Sequence, residues 1–282
     1  MNSYNNFRKT AMLLLAFDTS DRRASIALCS ESEVYGEYIW SIGRNHSVEL
    51  LDRIQRLLAE CGVAMSQIDG IAVAMGPGSF NGIRVALATA KTLAFVLQKP
   101  LWGISTLDII AAGQQQATQP LCAVMEAGRS ELYAACYTTM MYARGDVHYM
   151  VTRQGEYGVF APAQLAEFVQ AQLGTNVSGE QTPILFCGEI SDPTRQAITA
   201  ELPGRCLFLS NVQSTRRASV LAILALQQWR EGKVDDPLLL EPLYLRRPSI
   251  TTSTKKRPLL GITSQRPTGQ SSTEREEGAV RH

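Results

Sequence analysis

Apolar residues in this chain follow two rhythms. Leu13-Leu14-Leu15-Ala16-Phe17, Ile71-Ala72-Val73-Ala74-Met75, Leu101-Trp102-Gly103-Ile104 and Leu121-Cys122-Ala123-Val124-Met125 are short unbroken runs. Runs of strand length without polar alternation predict central strands buried on both faces. The second rhythm is helical. From Ser47 to Cys61 the positions Val48, Leu51, Ile54, Leu58 and Cys61 repeat at three and four residues, Leu50 and Leu57 widen the stripe, and Arg53, Arg56 and Glu60 fall between. This predicts an amphipathic helix ended by Gly62, with a stripe wide enough to serve a second partner. A helix over 81–97 carries Gly82, Ala86, Ala90 and Ala94 at four-residue intervals. Small side chains on one stripe let another backbone approach closely.

Taken in order, Leu13–Phe17, Ser25–Cys29 and Glu33–Trp40 read as a strand meander. The helix 47–61, the strand 71–75, the helix 81–97, the strand 100–104 and a helix 109–116 opened by Ser105-Thr106-Leu107-Asp108 follow. The order β-β-β-α-β-α-β-α therefore fills residues 13–117. A strand, a polar turn and a strand recur from Leu121 to Tyr137, which hints at an internal duplication over 118–247. Helices over 163–173 and 217–230 and short strands at 184–187 and 206–209 are expected there. Residues 1–12 form an extension. Residues 248–282 form a tail rich in Ser, Thr, Arg, Gly and Pro, whose composition predicts disorder and whose stretch 251–282 holds six Lys/Arg against three Glu.

Composition excludes several classes of function. With 27 Lys and Arg against 26 Asp and Glu, the 282-residue chain has a net charge of +1, so any contact with nucleic acid must be local. The six cysteines have no C-x-x-C pairing and no zinc spacing, which predicts buried thiols in a reducing compartment. No run reaches the ~18 continuous apolar residues of a membrane helix, and the polar start carries no secretory pattern. A cytoplasmic protein is expected.

The candidate chemistry sits at two turns. Asp18-Thr19-Ser20 ends the first strand, in the position where actin-like ATPases hold a carboxylate and hydroxyls beside phosphates, yet this turn has no glycine. Met75-Gly76-Pro77-Gly78-Ser79-Phe80-Asn81-Gly82-Ile83-Arg84 joins a strand to a helix, as anion-binding loops do. It lacks the Lys of a P-loop and misses the Rossmann spacing by one residue. Two readings stand: an anion or nucleotide contact through Asp18, Thr19, Gly78, Ser79 and Arg84, or a structural elbow that aims helix 81–97. The missing Lys and the small-residue stripe favour the elbow. His46 and His148 have no second histidine one turn away, so no metal site and no catalytic residue is assigned.

Phe17-Asp18-Thr19-Ser20, His46-Ser47, Gly76-Pro77-Gly78-Ser79-Phe80-Asn81-Gly82-Ile83-Arg84, Gly103-Ile104-Ser105-Thr106-Leu107 and Tyr244-Leu245-Arg246 appear in that order, and with them the chain resembles the TsaB (YeaZ) family. Asn81 departs from the Thr common there. Glu126-Ala127-Gly128-Arg129 departs from the usual Asp-Ala-Arg. The resemblance implies an actin-like, Hsp70-like (ASKHA) duplicated α/β fold. It also implies a role in forming N6-threonylcarbamoyladenosine at position 37 of tRNAs reading ANN codons. This chain would be a non-catalytic partner of the TsaD transferase, joined by the TsaE ATPase, with ATP and magnesium used by the complex and tRNA reached through it. The implied docking surface is the first two helices, here Val48, Leu51, Ile54, Leu58, Gly82, Ala86 and Ala90, and a homodimer through the same helices is a further expectation. The competing reading is an actin-like ATPase or phosphotransferase using Asp18 and the glycine turn. An independent peptidase lacks both ligands and nucleophile.

Overall fold

The computed structural model describes residues 11–42, 46–144, 146–174 and 182–246, and the side chains of 46–48 and 142–149 lie outside the description. The extension up to residue 10 and the tail from 247 on also lie outside it. The meander is β1 (Leu14–Asp18), β2 (Arg23–Cys29) and β3 (Val34–Ser41). It continues through α1 (His46–Glu60), β4 (Gly70–Gly76), α2 (Phe80–Leu97), β5 (Leu101–Ser105) and α3 (Thr106–Ala112). β4 and β5 join parallel to β1, which gives a sheet ordered β3-β2-β1-β4-β5.

The second half repeats the plan with β6 (Leu121–Gly128), β7 (Glu131–Arg144), β8 (Asp146–Phe160), α4 (Pro162–Leu173), β9 (Ile184–Cys187), α5 (Asp192–Glu201), β10 (Cys206–Phe208) and α6 (Ala218–Arg230). Its sheet runs β10-β9-β6-β7-β8, the same order of equivalents read from the other edge. The α/β plan is therefore duplicated, one five-stranded sheet to each half. Two of its elements carry little apolar signal in the sequence. β8 is an edge strand with many polar residues, and α5 buries only Ile198.

Each sheet is covered on both faces, which explains the unbroken apolar strands. Leu15, Phe17, Ile26 and Val73 face α1 and α2. Leu14, Ala16, Ala27 and Trp102, on the opposite face, meet Ala218, Leu221, Ala222 and Ala225 of α6. In the second sheet Val124, Ala134 and Phe186 pack with α4 and α5, and Leu121, Ala123 and Tyr137 pack with Leu107, Ile110 and Ala111 of α3. The third helix of each half thus covers the other half's sheet.

The small-residue stripe of α2 requires a correction. Ala86 and Ala90 are fully buried, as are Ile54 and, within a few per cent, Leu58, all in the core with this chain's own first sheet. Gly82 is buried too, and a Cβ there would meet the Thr19 carbonyl oxygen at 1.9 Å. The stripe brings α2 against its own sheet, so these five residues are not available to a partner. Of the expected docking residues Leu51 is exposed, at 46%, and the side chain of Val48 lies outside the description. α2 is also the one helix among the described residues with the length and hydropathy to cross a membrane, and its stripe of Gly82, Ala86 and Ala90 lies against the first sheet.

Candidate functional site

β1 delivers Asp18 to the end of the first sheet, where the carboxylate is 1% exposed. Oδ1 accepts the Ser20 amide at 2.7 Å, an Asx-type turn, and Oδ2 accepts Nε of Arg216 at 3.0 Å. Arg216 stands two residues before α6 and is itself buried. Its Nη1 lies 3.2 Å from Glu189 Oε1 and 3.9 Å from Asp21 Oδ2, and its Nη2 donates to the Arg23 carbonyl at 3.2 Å. A guanidinium from the second half thus occupies the centre of a carboxylate cluster drawn from both halves. The adjacent Arg217 pairs with Glu37 of β3, whose Oε1 also accepts the Ser219 amide and caps α6.

The glycine turn closes on the Asp18 turn. Thr19 Oγ1 donates to the Gly82 carbonyl at 2.7 Å, and the Ser79 amide donates to the Ser20 carbonyl at 2.6 Å. Ser79 also caps α2 by accepting the Gly82 amide at 3.4 Å. Gly78 has φ +155°, and a Cβ there would meet the Ser20 carbonyl oxygen at 2.1 Å. Glycine at 78 and 82 is thus required by backbone of the same chain.

The structure brings Asp18, Thr19, Gly78 and Ser79 together and turns Arg84 away from them. Arg84 is exposed and stands over the Phe80 ring, 5.1 Å from its centroid. A magnesium-bound nucleotide does not fit at Asp18. Both carboxylate oxygens are engaged, and the Arg216 guanidinium already fills the place beside Asp18 that a metal ion would need. The elbow reading accounts for every contact of the turn. Sequence reasoning missed Arg216. Its signal was the pair Arg216-Arg217 at a helix start, where the helix dipole disfavours cations unless acids from elsewhere meet them.

In the second half Glu126 takes the place of Asp18. Its Oε1 accepts the Ser191 amide at 3.1 Å and the Thr194 hydroxyl at 3.0 Å at the N-terminus of α5. Hydrogen bonds from Ser191, supported by Thr194 and the Arg22 charge, hold this carboxyl below the usual range against a desolvation cost. This helix start is capped by its own chain as well.

Residues after α6 form a strap. The Asp235 amide donates to the Leu101 carbonyl at 3.0 Å, Asp235 Oδ2 accepts the Gly103 amide at 2.7 Å, and the Leu243 amide donates to the Met75 carbonyl at 2.8 Å. The strap sets Tyr244 against Phe80 with ring centroids 5.4 Å apart and 26° between planes. It ends with Arg246 bound to the Ala127 carbonyl and to Glu131 in the second half.

A family model described as TsaD, tRNA N6-adenosine threonylcarbamoyltransferase, matches residues 36–253. The tRNA threonylcarbamoyladenosine biosynthesis protein TsaB of Bacillus subtilis is 31% identical over 235 residues, which is 83% of this chain and 94% of that protein. A tRNA N6-adenosine threonylcarbamoyltransferase of Methylorubrum extorquens is 45% identical over 80 residues, 28% of this chain and 23% of that one. Among solved structures, YeaZ from Pseudomonas aeruginosa aligns with a TM-score of 0.64 and 29% identity, covering 83% of this chain and all of that one.

Proposed function

Because this chain belongs to the TsaB (YeaZ) family and takes part in the biosynthesis of threonylcarbamoyladenosine in tRNA, we propose that it is the non-catalytic scaffold that docks the TsaD transferase. The observation that carries the reading is the outer surface of α1 and α2. The two helices pack side by side on the first sheet, and their solvent face presents Leu51 together with Ala88, Thr92 and Val96, the last 69% exposed. Small and apolar side chains on adjacent helices suit ridge-in-groove packing against two further helices. The same face pairs two copies of this chain when the transferase is absent. ATP and magnesium act elsewhere in the complex, at TsaE and the transferase, a division supported by the guanidinium fixed at Asp18. The assembly works in the cytoplasm.

The test is co-elution of the purified chain with the TsaD protein of the same organism on size exclusion. Leu51→Asp and Ala88→Arg, both at exposed positions, are expected to abolish the joint peak while leaving each variant folded. Undiminished co-elution by both variants would remove this face from the interface.

A further inference from the structure

Phe80 and Tyr244 form an aromatic surface that the elbow reading leaves without a purpose. Their rings stack on each other, yet Phe80 remains 42% and Tyr244 39% exposed. Phe80 opens α2, and the Met75–Leu243 hydrogen bond fixes the strap residue beside Tyr244, so both rings are held by rigid elements. Arg84, one turn further along α2, places its guanidinium over the Phe80 ring and meets no carboxylate among the described ion pairs. The patch is local, on a chain whose net charge is +1.

We infer that Phe80, Tyr244 and Arg84 form a contact for an unpaired stretch of RNA, a base stacking on the exposed ring surface while Arg84 meets a backbone phosphate. The inference rests on the assignment of this chain to tRNA modification. Unpaired bases stack on aromatic and guanidinium planes whatever their sequence, and a cation without a carboxylate partner is what a phosphate requires. Arg84 lies one turn before Ala88, so this patch borders the outer stripe of α2; it is aromatic and cationic where Ala88, Thr92 and Val96 are small or aliphatic, and co-elution with TsaD separates the two roles.

Fluorescence anisotropy of a fluorescein-labelled tRNA transcript, titrated with the full chain at low and moderate salt, tests the contact. Phe80→Leu and Tyr244→Leu keep apolar bulk and remove the aromatic faces; each is expected to weaken binding at least about fivefold. Arg84→Gln is expected to weaken it and to reduce the salt dependence by about one counterion. Melting temperatures and co-elution with TsaD should stay as in the wild type. RNA affinity equal to wild type in all three variants overturns the inference, and so does a wild-type chain that fails to bind at about 100 µM protein. If the variants instead lose the transferase and keep their RNA affinity, the rings belong to the protein interface; the RNA contact falls and the scaffold reading survives. If they lose RNA affinity while even the wild type fails to co-elute with TsaD, the contact stands and the scaffold reading falls.

Discussion

Arg216 and Asp18 lie 198 positions apart in the chain and meet at 3.0 Å in a site almost closed to solvent. Such a pair contributes little net stability relative to an apolar replacement, but removing one member strands a buried charge at a cost of about 3–5 kcal/mol. Arg216→Met strands Asp18 and is therefore expected to lower the unfolding free energy by about 3 kcal/mol or more, whereas Asp18→Asn should cost less, because Glu189 and Asp21 still face the guanidinium. The double variant should lose clearly less than the sum, because with Asn at 18 the loss of Arg216 no longer strands a charge there. Urea unfolding of the four proteins measures the coupling, and strictly additive losses would show that the two groups do not sense each other.

Gly78→Ala and Gly82→Ala place a methyl group 2.1 Å and 1.9 Å from backbone carbonyl oxygens that cannot retreat without opening the Asp18 turn. Each should cost about 2 kcal/mol or more. Gly113 has ordinary backbone angles, and a Cβ there finds its nearest neighbour at 3.4 Å. Gly113→Ala is thus expected to be neutral or stabilising by a few tenths of a kcal/mol. Thermal melts of the three variants decide the matter; equal losses at all three positions would contradict the clasp.

Two neighbouring alanines separate folding from docking. Ala86 is fully buried beneath α2, whereas Ala88 faces water. Ala86→Arg drives a guanidinium into the sheet and should yield protein that aggregates or loses about 4 kcal/mol. Ala88→Arg should melt within about 0.5 kcal/mol of the wild type. Circular dichroism melts check this before any interaction is measured.

Glu126 gives a pH dependence whose sign follows from its surroundings. Its carboxyl is held below the ordinary value by Ser191, with help from Thr194 and Arg22. A depressed carboxyl contributes stability above its unfolded value, and that contribution fades as pH falls through the folded one. Thr194→Val removes one donor and should move the Glu126 titration upward, toward the ordinary carboxylate range. A carbon-detected NMR titration of the side-chain carboxyl reads the shift, and a midpoint that stays put or falls would show that Thr194 plays no part.

The fold was largely legible because both of its rhythms have a physical source. Strands buried on two faces must be apolar throughout, and helices on a sheet must be apolar on a stripe. The same logic misled at α2, where a stripe of Gly82, Ala86 and Ala90 says that something lies close but not whether it is this chain's own sheet or another protein. β8 and α5 were illegible for the converse reason, since elements that bury few residues leave little periodicity. Asp18, Thr19, Gly78 and Ser79 could be found from turn chemistry. Arg216 could not be placed with them, because nothing local records which cation a carboxylate will meet two hundred residues later.

The exchange of third helices has a temporal meaning. A chain emerging from the ribosome completes β5 and α3 by residue 112, yet the face of its first sheet that holds Leu14, Ala16 and Trp102 meets only Ile109 of α3 until residues 218–230 bring the rest of its cover. α3 in turn waits for β6 and β7 before its own apolar side is covered. Neither half can finish before the other, so the two repeats mature as one event, late in synthesis, and the Arg216–Asp18 pair just before α6 is among the last contacts to be made.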